Sequence, residues 1–389
     1  MTVATTTAAD EIIEKVYAGR RISVDEGVVL YNDADLITLG ALADFVKRCM
    51  HPGDLTTFVI DRNINYTNVC IYDCSFCAFY RKLGEKDAYV LSKEEIFRKV
   101  EELVSLGGTQ VLLQGGVHPN LEIDFYLDLI RSVKERFPVH VHSFSPVEIE
   151  WVARKHSMTV KDVLRAFREA GLDSLPGGGG EILVDRVRDI ISPRKKERIW
   201  LGVMRDAMEI GMPTTATMVY GMIETPRERL EHIEKIRLLQ DDMRALRRRQ
   251  LENALRDDDA PRGNPDPRDG TVAEFRAFIL WSFSPGNTKL DCPASTGAEY
   301  LRMVALSRIM LDNVDNLQSG WVTEGPKMAQ VALNFGANDM GGVLMEENVV
   351  GATGITLKVA VDDMLHMIRA AGKIPAQRNT RYEILKTFN

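Results

Sequence analysis

The sequence predicts an α/β fold, a (β/α)8 TIM-type barrel with an N-terminal helical extension. Two observations carry the prediction. From Thr57 onward the chain repeats a short strand-like run, a Gly-rich or polar loop and a helix of ten to eighteen residues, eight times in all. Right-handed parallel connections make a closed barrel the simplest arrangement of such units. Almost every chemically unusual stretch also falls just after a strand-like run, at the end of the barrel where such folds keep their sites.

The extension is assigned to residues 1–53. Ile12, Ile13, Val16 and Tyr17, then Leu36, Leu39, Leu42, Phe45 and Val46, recur at helical spacing. The barrel is assigned to 54–372 and a C-terminal tail to 373–389. Its first strand is the alternating run Thr57 to Asn65. The first helix opens on a capping box of Ser92 and Glu95, buries Ile96, Val100, Leu103 and Val104 on one face, and stops at Gly107 and Gly108. Further strands are predicted at Thr109 to Leu113, Val139 to Phe144, Leu172 to Leu175, Thr214 to Val219, Phe275 to Ser282, Leu317 to Val322 and Ala337 to Met340. Helices are predicted between them at Asp124 to Phe137, Thr159 to Ala170, Glu197 to Gly211, Pro226 to Met243, Ala298 to Asn313 and Glu324 to Phe335, with a last one at Val361 to Ala371. Arg244 to Asp269 breaks the rhythm. Its Arg247-Arg248-Arg249 and Asp257-Asp258-Asp259 runs, followed by Pro and Gly, read as a charged, mobile insertion, 244–269, with a partner-docking patch as the alternative.

At 389 residues, 45% hydrophobic and 27% charged, the chain has an ordinary globular composition and ample material for one large core. A formal charge of -7 and a pI near 5.7 argue against nucleic acid or an anionic membrane as the main partner and leave a small molecule as the expected one. Met1 to Asp10 offers neither a basic start nor an apolar signal core, and no run of about eighteen apolar residues occurs, so a cytoplasmic location is expected. Five cysteines, three of them clustered, do not make a disulfide framework, and ligation is the better reading. Cys49 and Cys292 stand alone and read as inert thiols.

The clustered cysteines, Cys70, Cys74 and Cys77, follow the first strand. Three thiolates on one loop can hold three irons of a [4Fe-4S] cluster and leave the fourth without a protein ligand. Zinc also accepts three cysteines and a distant histidine. The loop carries no further Cys or His to complete such a site, and Tyr72, Phe76, Phe79 and Tyr80 surround it with aromatics that exclude water and can flank a planar adenine. The second strand ends in Gln114-Gly115-Gly116-Val117-His118-Pro119, where glycines let backbone approach a ligand or merely make a tight turn, and where His118 contacts a ligand or serves as a capping residue. On the third, His140 and His142 share a face by the period of two, with His142 nearer the mouth, where it would serve as donor or base. The fourth runs into Pro176-Gly177-Gly178-Gly179-Gly180-Glu181, and the fifth into Tyr220-Gly221-Met222-Ile223-Glu224-Thr225. Aromatic and small polar residues end the sixth to eighth strands, Trp281 to Thr288, Ser319 to Thr323 and Gly336 to Gly342, as a pocket for a partly aromatic, hydroxylated ligand needs.

The cysteine spacing, with Phe76 just before the last cysteine, resembles that of the radical S-adenosylmethionine enzymes. That resemblance implies that S-adenosylmethionine chelates the open iron, and that one electron from the cluster releases a 5′-deoxyadenosyl radical that takes hydrogen from the substrate. It assigns Phe76, Phe79, Tyr80, Gln114, Gly115, Gly116, His118, Ser145, Glu181, Gly221 and Glu224 to S-adenosylmethionine, and His142 and Glu181 to catalysis. Asn65 to Cys70, Ala78 to Arg81, Gln114 to Pro119, His142 to Pro146, Leu175 to Leu183 and Gly336 to Val350 further resemble one subgroup, which contains the menaquinone enzymes of the futalosine route and the deazaflavin synthases. The likeness runs from about Asp54 to Pro375-Ala376-Gln377-Arg378. Gly180 departs from it, standing where the subgroup carries Ala, a change expected to loosen the turn.

Within the subgroup the pattern is closest to the cyclases. These are implied to abstract hydrogen from ribose C4′ of dehypoxanthinylfutalosine, close that carbon onto the attached benzoate ring and consume S-adenosylmethionine as oxidant, with a flavodoxin- or ferredoxin-like electron donor. The sister aminofutalosine synthases tend to carry Lys-Ala-Phe-Thr where this chain has His142-Ser143-Phe144-Ser145. A non-catalytic cysteine-metal module is the alternative from a different class.

Overall fold

The computed structural model describes residues 7–256 and 271–388. Three helices come first, α1 (Ala8–Tyr17), α2 (Val24–Asp33) and α3 (Leu36–Met50). Thr7, Ser23 and Asp35 cap their first turns, each side-chain oxygen accepting from backbone N–H groups that the helix leaves unpaired. The barrel follows as β1 (Leu55–Val59), β2 (Asp61–Ile64), α4 (Lys93–Ser105), β3 (Gln110–Leu113), α5 (Ile123–Arg136), β4 (His140–Val141), α6 (Pro146–Lys155), α7 (Val160–Ala170), α8 (Asp185–Ile191), α9 (Glu197–Glu209), β5 (Thr214–Tyr220) and α10 (Pro226–Arg256). It continues through β6 (Phe275–Ser282), α11 (Gly297–Met310), β7 (Asn316–Gln318), α12 (Trp321–Glu324), α13 (Pro326–Ala332), β8 (Asp339–Gly342), α14 (Asn348–Gly351), α15 (Val361–Ala370), β9 (Ile374–Arg378) and β10 (Ile384–Thr387). The expected fold class is the observed one. The extension packs outside the barrel, α2 on α10 and α3 on α11.

The predicted first strand is divided in two. β1 joins a sheet running β10, β9, β1, β8, β7, β6, β5, whereas β2 joins β3 and β4. Ile60 links them, and its carbonyl still accepts from Thr109 N at 3.1 Å, so the chain itself closes that side of the barrel. The fourth strand position closes the other side without a ladder. Single bridges from His142 to Ser174 and from Leu175 to Thr214 replace the strand predicted at Leu172 to Leu175. There the Asp173 carboxylate accepts from Val141 N at 2.7 Å, taking a place that backbone would otherwise fill.

The run predicted as strand from Leu317 to Val322 stops at Gln318, and Trp321 and Val322 begin α12. Tyr300 Oη accepts from Gly320 N at 2.6 Å and draws the chain out of the sheet. Arg244 onward, expected as a mobile loop, continues α10 to Arg256, with Arg244 and Arg247 both donating to Glu274; residues 257–269 of that stretch lie outside the described residues. The tail is not peripheral. β9 pairs in parallel with β1, and Arg378 at its end and Thr380 and Tyr382 beyond it line the barrel's interior.

Candidate active site

A cavity of about 390 Å³ opens among the strand ends and reaches down to the tail. Cys70, Cys74 and Cys77 line its mouth on the loop after β2. That loop is anchored by backbone: Cys70 N donates to Arg81 O at 2.9 Å and Ile71 N to Val117 O at 2.9 Å. All three thiols are free. Burial raises the pKa of Cys70 and Cys77. Cys74 is buried among Tyr72, Val117 and Val147. Lys195 faces the same thiols; burial disfavours its charge, but Cys74, Glu181 and Cys70 around it hold the ammonium above its ordinary range.

Two glycine loops face each other across the mouth. A Cβ on Gly116 would strike the backbone at Val69 O, so that position needs glycine for the loop to close in, while Gly178 lies against the Gln114 side-chain amide. Gly180 contributes likewise. A Cβ there would lie 2.9 Å from Thr217 O, so the departure from the subgroup's Ala lets the two segments meet rather than loosening the turn. Buried Arg188 secures this loop, donating to the carbonyls of Gly179 at 3.0 Å, Gly180 at 3.1 Å and Ile182 at 3.3 Å. Glu181 follows at φ 22°, a conformation that side chains rarely adopt. Its Oε2 is buried without a hydrogen bond, and the Arg188 guanidinium is 3.8 Å away.

The structure brings most of the expected site residues together. Phe76, Phe79, Tyr80, Gln114, Gly115, Gly116, His142, Ser145 and Glu181 line the cavity with the cysteines, and His118, Gly221 and Glu224 do not. His118 Nδ1 caps the following turn, accepting from Asn120 N at 3.1 Å. The Glu224 carboxylate accepts from Gly221 N at 2.5 Å, Met222 N at 3.0 Å and Arg229 Nε at 2.8 Å, so it closes its own loop. Ser145 Oγ, on the rim, caps α6 and donates to Glu148 Oε2 at 2.5 Å. His140 and His142 each hydrogen-bond Ser174 Oγ at 2.7 Å. One hydroxyl proton serves only one of the rings, so the other must present N–H. Burial drives both far below the usual imidazole pKa, which keeps His142 neutral.

Glu148 was absent from the expected residues, although Ser145-x-x-Glu148 has the capping-box spacing. It is buried beneath the first glycine loop and accepts from Tyr66 Oη at 2.5 Å and Gly115 N at 3.2 Å. Burial pushes its pKa up to about 7. The folded state therefore keeps a proton that the unfolded chain has lost above about 4.5, and this contribution to stability falls as pH rises toward 7. Between pH 5 and 8, wild type should lose up to about 3 kcal/mol relative to Glu148→Gln, which cannot titrate. Thermal unfolding of both proteins at the two pH values measures this; a constant difference contradicts it.

Residues 64–236, which contain the cysteine loop and both glycine loops, match the radical SAM superfamily, and 272–389 match the CofH/MqnC C-terminal region. The chain is 44% identical over 382 residues to cyclic dehypoxanthine futalosine synthase of Halalkalibacterium halodurans, an alignment covering 97% of this chain and 95% of the relative. The chain belongs to the radical S-adenosylmethionine superfamily. This radical S-adenosylmethionine protein is also 35% identical to aminodeoxyfutalosine synthase of Thermus thermophilus, over 97% of this chain and 96% of that one. The crystal structure of methylornithine synthase superposes with a TM-score of 0.70 at 16% identity, covering 94% and 97% of the two chains, and shares the fold.

The residues fit the cluster and S-adenosylmethionine that the family implies. Three free thiols on one loop line the same cavity, one for each of three irons. The close-set glycine loops and the Glu181 oxygen left without a hydrogen bond among the described residues suit an ammonium or hydroxyl donor beside the thiols. No helix among the described residues is long and apolar enough to cross a membrane.

Proposed function

We propose that the chain catalyses the oxidative cyclisation of dehypoxanthinylfutalosine in menaquinone biosynthesis, receiving electrons from a flavodoxin- or ferredoxin-like donor. The observation that carries this reading is His142, on the His142-Ser143-Phe144-Ser145 segment, lining the cavity below the cysteine loop; the identity to the cyclase relative along nearly the whole chain supports it. Cys70, Cys74 and Cys77 hold the cluster, and the backbone at Gly115 and Gly116 with the Glu181 carboxylate holds S-adenosylmethionine. When bound, the pair supplies hydrogen-atom abstraction, here from ribose C4′. Neutral His142 is a hydrogen-bond partner for a ribose hydroxyl; its depressed pKa makes it a poor proton acceptor. The enclosed barrel would keep water and stray C–H bonds away while carbon closes on the benzoate ring, with S-adenosylmethionine consumed as the net oxidant.

Supplied with dehypoxanthinylfutalosine, a reductant and S-adenosylmethionine, the reconstituted protein should yield the cyclised product together with 5′-deoxyadenosine. Deoxyadenosine formation indifferent to the substrate, with no product, refutes the cyclase reading. The second reading, an aminofutalosine synthase, is favoured by the Thermus relative; turnover of an enolpyruvyl benzoate in place of dehypoxanthinylfutalosine would establish it. Stoichiometric zinc and no cluster would leave only the metal module.

A further inference from the structure

We propose that Arg276 anchors the substrate's carboxylate at the floor of the cavity, so that the aryl carboxylate end enters first and the sugar end faces the cysteine loop. The inference rests on the function proposed above, which supplies a benzoate. Arg276 is the second residue of β6 and lines the cavity. Its Nε, Nη1 and Nη2 are all buried, and none has a hydrogen-bond partner among the described residues.

The acids nearby are already committed. Asp339 accepts from Arg378 at 2.5 and 2.9 Å and from Thr57 Oγ1 at 2.5 Å. Asp61 accepts from Leu344 N at 3.0 Å and Gln110 Nε2 at 3.2 Å, and Asp173 from Lys134 Nζ at 2.8 Å and Val141 N at 2.7 Å. The facing His140 and His142 are neutral and turned to Ser174.

Burial lowers the Arg276 pKa only to about 10, so it is a cation at neutral pH. A buried guanidinium without partners is costly, and a carboxylate matches its planar fork with two parallel hydrogen bonds. The surroundings suit an aryl acid. Ile279, Trp281, Phe283 and Trp321 form an apolar wall above Arg276. From Arg276 to Ser282 at the mouth, β6 spans roughly 20 Å at about 3.3 Å per residue, long enough for cofactor and substrate to lie in line.

The test titrates reconstituted protein with 3-acetylbenzoate and with 3-acetylbenzamide, which share a shape but not a charge. Wild type should bind the acid about 10- to 100-fold more tightly than the amide. Arg276→Gln should erase that preference through the acid alone, and Arg276→Lys should restore only part of it, because an ammonium lacks the fork. In the cyclisation assay Arg276→Gln should raise KM by a similar factor with a smaller change in kcat. Equal binding of acid and amide by wild type overturns the anchor without recourse to any variant, as does an Arg276→Gln protein that still prefers the acid. A carboxylate preference lost in Arg276→Gln, in a protein that does not cyclise dehypoxanthinylfutalosine, supports the anchor and defeats the cyclase reading. Cyclisation with unchanged KM in Arg276→Gln overturns the anchor and leaves the cyclase reading standing.

Discussion

Cys74→Ala should fold and lose the cluster. The thiol is buried, its Sγ 3.2 Å from Ser192 Oγ, and deleting one small atom from an apolar shell costs on the order of 1 kcal/mol, too little to unfold a barrel of this size. The loss of a ligand is another matter, because two thiolates on the loop cannot hold three irons. After anaerobic reconstitution the variant should show neither the broad visible absorbance of a cluster nor its EPR signal on reduction, while its circular dichroism matches wild type. Formation of 5′-deoxyadenosine should fall on the order of 10³-fold or more, since the electron source is gone. Cys74→Ser, which keeps the shape, should behave alike. Wild-type iron and sulfide content in Cys74→Ala would remove this cysteine from the cluster. Substitution of Cys292, whose Sγ lies 3.7 Å from Gly221 O, should leave the iron content unchanged.

The largest effect on stability is expected at Arg378→Met. Arg378 donates from Nε and Nη2 to the two oxygens of Asp339, and both residues are buried. Arg378 also stacks 3.9 Å above the Tyr382 ring. Burial opposes its charge, but Asp339 and Tyr382 hold the guanidinium above its ordinary range. Removing the cation strands a carboxylate in the interior, which costs about 3–5 kcal/mol. With roughly 2.1 cal/mol/K of unfolding entropy per residue, that corresponds to a fall in Tm of about 4–6 °C. Asp339→Asn combined with Arg378→Met should recover much of the loss, because neither member of the pair is then left charged without its partner. A melting temperature unchanged in the single variant would show that the tail does not secure the barrel.

Much of the site was legible because its chemistry is local. The three cysteines lie within eight residues, the Gly115-Gly116 and Gly177 to Gly180 runs follow predicted strands, and all of them meet at one cavity. Ser92 and Glu95 cap α4 as their spacing predicts. Other expected residues do not line the cavity, for a local reason. Gly221 and Glu224 have the composition of a ligand loop, but the Glu224 carboxylate turns back onto its own backbone and Arg229. Glu148 offers only a capping-box spacing and Arg276 no motif at all; their importance comes from burial and from which neighbours are already paired.

The sequence by itself determined the repeat of strand and helix, and with it the barrel, and it placed the three cysteines and the glycine runs at the strand ends where the cavity opens. Each depends on contacts a few residues apart, where periodicity and turn chemistry act directly. Only the tertiary structure decided that one strand would serve two sheets, that the tail would lie beside β1 and close the floor, and that Arg276 would be left without a partner there. Those outcomes turn on pairings between residues up to hundreds of positions apart, such as Thr57 with Asp339, and no local pattern encodes which buried charge is neutralised and which is kept for a ligand.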